Sequence, residues 1–200
     1  NKGWFGTISE IISSIAMLSI VLTGAALIRE REHGTIEHLL VMPVTPLEIM
    51  VSKIWSMGLV VLIASSLCLV VVVQGLLNVP VAGSLLLFMV GTALMLFAMT
   101  SLGIFLATVA GSMPQFGLLI MLVLLPLEML SGAITPRESM PDVIQYLMLA
   151  APTTHFVLLV QAVLFRGAGL SVVWPQLLAL TLIGTALFTL ALSRFRQFLR

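Results

Sequence analysis

Charge is what this sequence has least of. Only 8% of its 200 residues are Asp, Glu, Lys or Arg, against 60% hydrophobic. Soluble domains carry about 25% charged residues, so this surface cannot be one that faces water. Cysteine is nearly absent as well. The single Cys68 lies inside an apolar run, which excludes an intrachain disulfide framework and a thiolate metal cluster. No G-K-[ST] phosphate loop and no G-x-S-x-G nucleophile elbow occur. His33 and His38 are five positions apart, about 140° around a helix, so the zinc-binding H-E-x-x-H arrangement is missing too. A self-sufficient ATPase, a serine hydrolase and a zinc protease are thereby excluded. The net charge of +1 is uninformative as a total, since what matters is where the basic residues sit; no nucleic-acid partner is expected. Asn1 to Thr7 lacks the basic start and cleavage pattern of a signal peptide. The chain opens on Asn rather than Met, and is read as the remainder of a longer one.

What is present is long uncharged runs. A span needs about 20 mostly apolar residues to cross roughly 30 Å of hydrocarbon. Charges are missing between Glu10 and Arg29, Lys53 and Glu128, Asp142 and Arg166, and Arg166 and Arg194. The first interval predicts a span at Ile11–Ile28. The second holds two turn signals, Gly75 to Gly83 (with Asn78 and Pro80) and Gly111-Ser-Met-Pro114, which cut it into spans near Ile54–Gln74, Ser84–Ala110 and Gln115–Ile134. The last interval predicts a fifth near Val172–Leu192.

Val143–Phe165 is long enough to span, but Pro152-Thr153-Thr154-His155 cuts it midway. With five spans, Arg29, Arg31 and Lys53 share a side with Arg194, Arg196 and Arg200, leaving Lys2, Arg137 and Arg166 opposite. A sixth span would reverse that asymmetry. The positive-inside rule therefore favours a re-entrant or interfacial pair of short helices there, Asn1 outside and Arg200 in the cytoplasm. Irregular backbone at membrane depth needs cover from protein or a water-filled cavity.

Helix starts are expected at Thr45-Pro46-Leu47-Glu48, a capping box with proline at the first helical position. Thr135-Pro136-Arg137-Glu138 has the same form, Ser139-Met140-Pro141-Asp142 a weaker one, and Thr7-Ile8-Ser9-Glu10 is expected to open the first span.

The loop Arg29–Lys53 holds seven of the seventeen charges. Gly34-Thr35 ends one helix and caps another, with Glu37 near the positive end of its dipole. Ile36, Leu39 and Leu40 fall on one side, and Pro43 stops the helix after about two turns. Such a short amphipathic helix either lies in lipid headgroups or docks into a groove on a cytoplasmic protein.

Glu32-His-Gly34-Thr35-Ile36-Glu37-His-Leu39-Leu40-Val-Met-Pro43 resembles the E-x-G-T-x-E-x-L-L-x-x-P loop of ABC-2 type transporter permeases. Ser131-Gly132 followed by Pro136, Met140-Pro141 and Pro152 resembles the same family's S-G-x-x-x-P-x-x-x-M-P…P stretch. The resemblance implies an all-α polytopic permease. It has five spans here, a cytoplasmic coupling helix that meets an ABC ATPase subunit, and an external re-entrant helix pair. It also implies a second permease copy or homologue in the bilayer of the inner membrane. No cofactor is expected in this chain, ATP and Mg belonging to the partner. Family members usually have six spans and begin inside. One N-terminal span is therefore expected to be missing, with Asn1–Thr7 as the tail of an extracytoplasmic domain.

Glu128 is the one acid near the end of an apolar run. It is either a gate or a side chain that reaches the interface or pairs with Arg137. Gly103, Ala107 and Gly111, and the stripe Thr181, Thr185, Thr189 and Ser193, have the spacing of helix-packing faces. Met95 and Met99 suit either a core or an adaptable substrate surface. A passive channel would want polar residues along its spans, and a non-transporting scaffold would not need the loop at 32–43.

Overall fold

A computed structural model describes residues 2–76, 78 and 80–199. Every regular element among them is helical: α1 (Lys2–Glu32), α2 (Thr35–Val41), α3 (Pro46–Leu67), α4 (Leu85–Val109), α5 (Met113–Met129), α6 (Asp142–Met148), α7 (Pro152–Val160) and α8 (Leu170–Phe198). α3 runs on as a π-helix over Cys68–Leu76, and α7 as a π turn over Gln161–Phe165. In hydrocarbon the backbone must satisfy its own N–H and C=O groups, so uncharged runs of this length have no alternative to a helix.

Among the described residues four helices are long and apolar enough to cross a membrane alone: Phe5–Glu32, Pro46–Leu76, Leu85–Val109 and Leu170–Phe198. The predicted fourth span, Gln115–Ile134, is shorter than expected because α5 stops at Met129, after 17 residues. At 1.5 Å per residue that is about 25 Å. Its neighbours show that it traverses nonetheless. At one end the Met113 amide donates to Glu32 Oε1 on the last residue of α1, at 3.2 Å. At the other, Ser9 Oγ near the start of α1 donates to the Ala133 carbonyl at 3.4 Å. α5 and the irregular residues after it thus cover the same depth as α1.

α6 and α7 meet at 91°. The chain enters the pair beside Ser9 and leaves it where the Ala82 amide donates to the Leu164 carbonyl, at 3.3 Å. Both contacts lie at the end of the bundle remote from Arg31. Between them, Thr153 Oγ1 reaches inward to the Leu127 carbonyl at 3.3 Å. The pair dips in and returns to the end it came from, so Val143–Phe165 is a re-entrant element and not a sixth span. His155 pins the elbow, its Nε2 2.7 Å from the Leu149 carbonyl and its Nδ1 2.9 Å from Gln176 Oε1 on α8.

α4 is the central post, packed by α1, α3, α5, α7 and α8. Met95 and Met99 are fully buried in it, which settles them as core. α8 buries Val173, Leu180, Gly184, Ala191 and Phe195, a seven-then-four spacing that keeps one seam on its neighbour. The expected packing stripe on α8 lies elsewhere. Thr181, Thr185, Thr189 and Ser193 are exposed, and each hydroxyl donates to a carbonyl of its own helix. Such back-bonding satisfies a hydroxyl without any neighbour.

The capping expectations divide. Thr45 forms the full box, its amide donating to Glu48 Oε2 at 2.7 Å and its hydroxyl accepting from the Glu48 amide at 3.3 Å. Thr135–Glu138 does not, because Pro136 is extended (ψ 137) and only a 3-10 turn, Arg137–Ser139, follows. Pro141 rather than Ser139 precedes α6, with no side-chain cap. α1 already runs from Lys2, so Thr7 lies in its interior.

Candidate functional site

The connection from α1 to α3 is where the sequence placed its densest polar stretch, and its backbone explains the glycine. Gly34 sits at φ 70 and ψ 8 as the N-cap of α2, a left-handed conformation that residues with a Cβ adopt at a cost. Its amide donates to the Arg31 carbonyl at 3.2 Å, and its own carbonyl accepts from the Glu37 amide at 3.2 Å. Thr35 is therefore the first helical residue and not the cap. His33 tightens the same turn, its Nδ1 2.8 Å from the Arg29 carbonyl. Glu37 is exposed in the first turn of α2, where the free amides of a helix favour an anion. At the other end Met42 is extended, and Pro43 follows it.

The expected apolar side of α2 is split by the fold. Ile36 and Leu39 are half-buried, and Leu39 packs against the core. Leu40, Val41 and Met42 are instead 56%, 86% and 52% exposed. The reason is not local. Leu39, Leu40, Val44, Pro46 and Ile49 face Arg196 and Leu199 at the end of α8 across a hollow of about 480 Å³. The tail of α8 thus stands opposite Leu39 and Leu40 without closing over Leu40, and Val41 and Met42 lie outside the hollow.

At the far end Ser131 is buried; its hydroxyl donates to the Glu128 carbonyl at 2.8 Å and accepts from the Ala133 amide at 3.3 Å. Gly132 is at φ 97. A Cβ there would also stand 3.3 Å from Arg137 Cγ. Met140 is buried, and its carbonyl accepts from Gln145 Nε2 at 2.9 Å. Pro136 and Pro141 hold the extended backbone on either side of the 3-10 turn, and Pro152 starts α7. These residues terminate α5 and shape the re-entrant pair.

Glu128 lies one residue before the end of α5, with Oε1 shielded and without a hydrogen-bond partner among the described residues. No ion pair with Arg137 is present among them.

A family model for the ABC-2 type transporter matches residues 5–165, from α1 through α7. The chain belongs to this family. It is 66% identical over 197 residues to the inner membrane transport permease YhhJ of Escherichia coli strain K12, covering 98% of this chain and 53% of that protein. It is 27% identical over 195 residues to the probable multidrug ABC transporter permease YbhR of the same strain, covering 97% and 52%. The chain spans about half the length of these curated relatives. It is a multi-pass membrane protein of a transporter family, as the family match and the long apolar helices together show.

Within this family member, sequence reasoning missed how α1 ends. Glu30 pairs with Lys53 of α3, Nζ to Oε1 2.5 Å. Arg31 Nη1 donates to the Ala110 carbonyl closing α4 at 3.0 Å, with its Cζ 5.0 Å from the Phe198 ring. The alternating signs of Arg29-Glu30-Arg31-Glu32 were visible, but not which helix ends they would meet. Ser112 was also passed over as a cap. Its hydroxyl accepts from the Gln115 amide at 3.5 Å, and Gln115 Oε1 accepts from the Gly111 amide at 2.7 Å. The signal was Ser-Met-Pro-Gln, a capping pattern with proline in the first turn.

Proposed function

We propose that this chain is the membrane-spanning permease part of an ATP-binding-cassette exporter, with ATP and Mg bound and hydrolysed by a separate subunit that seats on α2. The carrying observation is the exposed run Leu40-Val41-Met42. Three consecutive large apolar side chains are left bare, two in the last turn of a helix too short to enter a membrane and one just past its end. Gly34 and Pro43 bracket that helix. A groove that covered them would gain about 1.5–3 kcal/mol per buried side chain, which is the helix-in-groove mode of recognition.

The family assignment supports a transport role, and the relative named as a multidrug permease supports export. The relative named as an inner membrane protein supports that location. On this reading Glu32, Gly34, Thr35, Ile36, Glu37, Leu39, Leu40 and Pro43 build the coupling element. Ser131, Gly132, Pro136, Met140, Pro141 and Pro152 shape an external re-entrant exit beside Glu128. A second copy or a homologous permease completes the pathway. The gathering of Arg29, Arg31, Arg194 and Arg196 at one end supports a cytoplasmic C-terminus. Transport then follows from two packings of the spans, biased by ATP-dependent closure of the partner.

The test is Leu40→Ala with Val41→Ala in the full-length permease co-expressed with its ATPase subunit. Both side chains are exposed, so insertion and thermal stability should be unchanged while ATPase recovery on the purified permease falls at least tenfold. Wild-type recovery of the ATPase would overturn the docking assignment and favour a helix resting in lipid headgroups.

A further inference from the structure

We propose that Glu30, Arg31 and Glu32 are positioning residues that carry displacement of α2 to the other spanning helices, no two of them addressing the same one. The proposal rests on the reading that a partner acts on α2, and adds how the push is distributed. Consecutive helix positions point about 100° apart, so three in a row can reach three neighbours where the helix end is surrounded. Glu30 takes α3, with Lys53 Nζ 2.5 and 2.6 Å from its two carboxylate oxygens. Arg31 takes two helices at once, bonding the Ala110 carbonyl at the end of α4 and stacking over Phe198 in the last turn of α8. Glu32 takes α5, accepting from its first amide, Met113.

The contacts of Arg31 and Glu32 use the groups a helix cannot satisfy itself, the last carbonyl of α4 and the first amide of α5. A carboxylate at a helix N-terminus and a guanidinium at a C-terminal carbonyl also have the signs the helix dipole favours. The ties therefore hold helix ends, where a small shift tilts the whole element. The Glu30–Lys53 pair is largely withdrawn from solvent, with side chains 32% and 15% exposed, so it is screened less than a surface pair.

The joint to α2 is stiff. Besides the bonds of Gly34 to Arg31 and Glu37, the His33 amide and ring both engage the Arg29 carbonyl, and Leu39 packs against the core. A displacement of α2 cannot be absorbed at the turn without breaking these bonds, so it moves residues 29–32.

The test uses the full-length permease with its ATPase subunit, on a Cys68→Ala background. Spin-label pairs link Leu18 on α1 to Leu59 on α3, Leu122 on α5 or Leu182 on α8, all exposed positions. Distances are compared without nucleotide and in the state trapped by vanadate after Mg-ATP hydrolysis, with Mg-ADP and vanadate on the ATPase subunit. The unsubstituted protein should show a nucleotide-dependent shift in all three pairs. Lys53→Ala should abolish the shift to Leu59 and Arg31→Ala that to Leu182, each leaving the other two shifts and ATPase co-purification intact, and Glu32→Ala should abolish the shift to Leu122 alone in the complex that is recovered with the ATPase. Glu32→Gln, which keeps an acceptor oxygen, should restore the Leu122 shift, and exchange of charge in Glu30→Lys with Lys53→Glu should restore that at Leu59. Variants that bind the ATPase yet keep all three shifts, or lose all three together, would overturn the helix-by-helix assignment alone. Failure of the unsubstituted permease to bind the ATPase would instead overturn the α2 reading, and this proposal with it.

Discussion

Gly103 of α4 lies directly against the backbone of Ile20 on α1. A Cβ at Gly103 would stand 2.9 Å from the Ile20 carbonyl oxygen and 3.1 Å from its Cα. The opposing atoms are main chain, so no rotamer change can make room. Phe116 of α5 completes the crossing, its ring filling the space a side chain at Gly24 would need. This is close approach through small residues, the main source of helix association where lipid is as apolar as the helix surface. Gly103→Ala should therefore separate α1 from α4 and cost about 1–3 kcal/mol, as overpacking of a filled interior does. Gly103→Val should cost more, read as lowered thermal stability in detergent. Gly117 has open space at its own Cβ position, and Gly117→Ala is the control that should leave stability unchanged.

A second prediction concerns direction rather than stability. Gly34 has nothing within 4 Å of where a Cβ would be, so the constraint there is conformational alone. Holding an L-residue at its positive φ costs roughly 1–2 kcal/mol, and a β-branched residue is worse placed still. Gly34→Val should leave membrane insertion and thermal stability near normal but turn α2 away from its present aim, lowering ATPase co-purification. Gly34→Asn, which tolerates that backbone region, should retain most of it. Equal loss in both variants would show that space or flexibility, not the left-handed turn, is what the position requires.

The spans were legible because hydrocarbon leaves an uncharged run no other structure, and charges mark its limits. The Thr45 cap was legible because its partners are three residues apart in sequence. The early end of α5 was harder to foresee, since Ser131 replaces helical bonds with side-chain bonds and Gly132 leaves the right-handed region altogether. The capping pattern at Thr135 misled because its proline adopts the extended angle, which propensity alone does not decide. The division of α2 into Leu39 inward and Leu40 to Met42 outward was not legible at all. It depends on the last turn of α8, more than 150 residues downstream in the chain. The Arg31 contacts have the same character, for they depend on which helix ends gather at one level.

Orientation makes a third prediction. With Cys68→Ala as background, a cysteine at Asn78 or Gly169 should react with a membrane-impermeant thiol reagent added outside intact cells, as both positions are exposed at the end remote from Arg31. A cysteine at Ser112, beside Glu32 and Met113, should react only after permeabilisation. Outside labelling at Ser112, with Gly169 protected, would reverse the assignment of the basic end to the cytoplasm.

The last prediction turns on Glu128. Glu128 is half-buried, with one carboxylate oxygen shielded and without a partner among the described residues, and shielding part of a charged group in this way costs stability. No ion pair with Glu128 offsets that cost among the described residues. The folded bundle contains no described contact that needs an acid there, since the bonds that end α5 use the Glu128 carbonyl and not its side chain. An ionisable group kept within a span at such cost is a functional candidate by default. Glu128→Gln preserves shape and removes the charge, so thermal stability should be equal or higher by a few degrees. ATP-driven export, assayed with a lipophilic fluorescent dye as probe in inverted vesicles, should fall. Wild-type dye export by the Glu128→Gln protein, with normal insertion, would remove Glu128 from the pathway and leave it as a side chain that merely reaches the membrane surface.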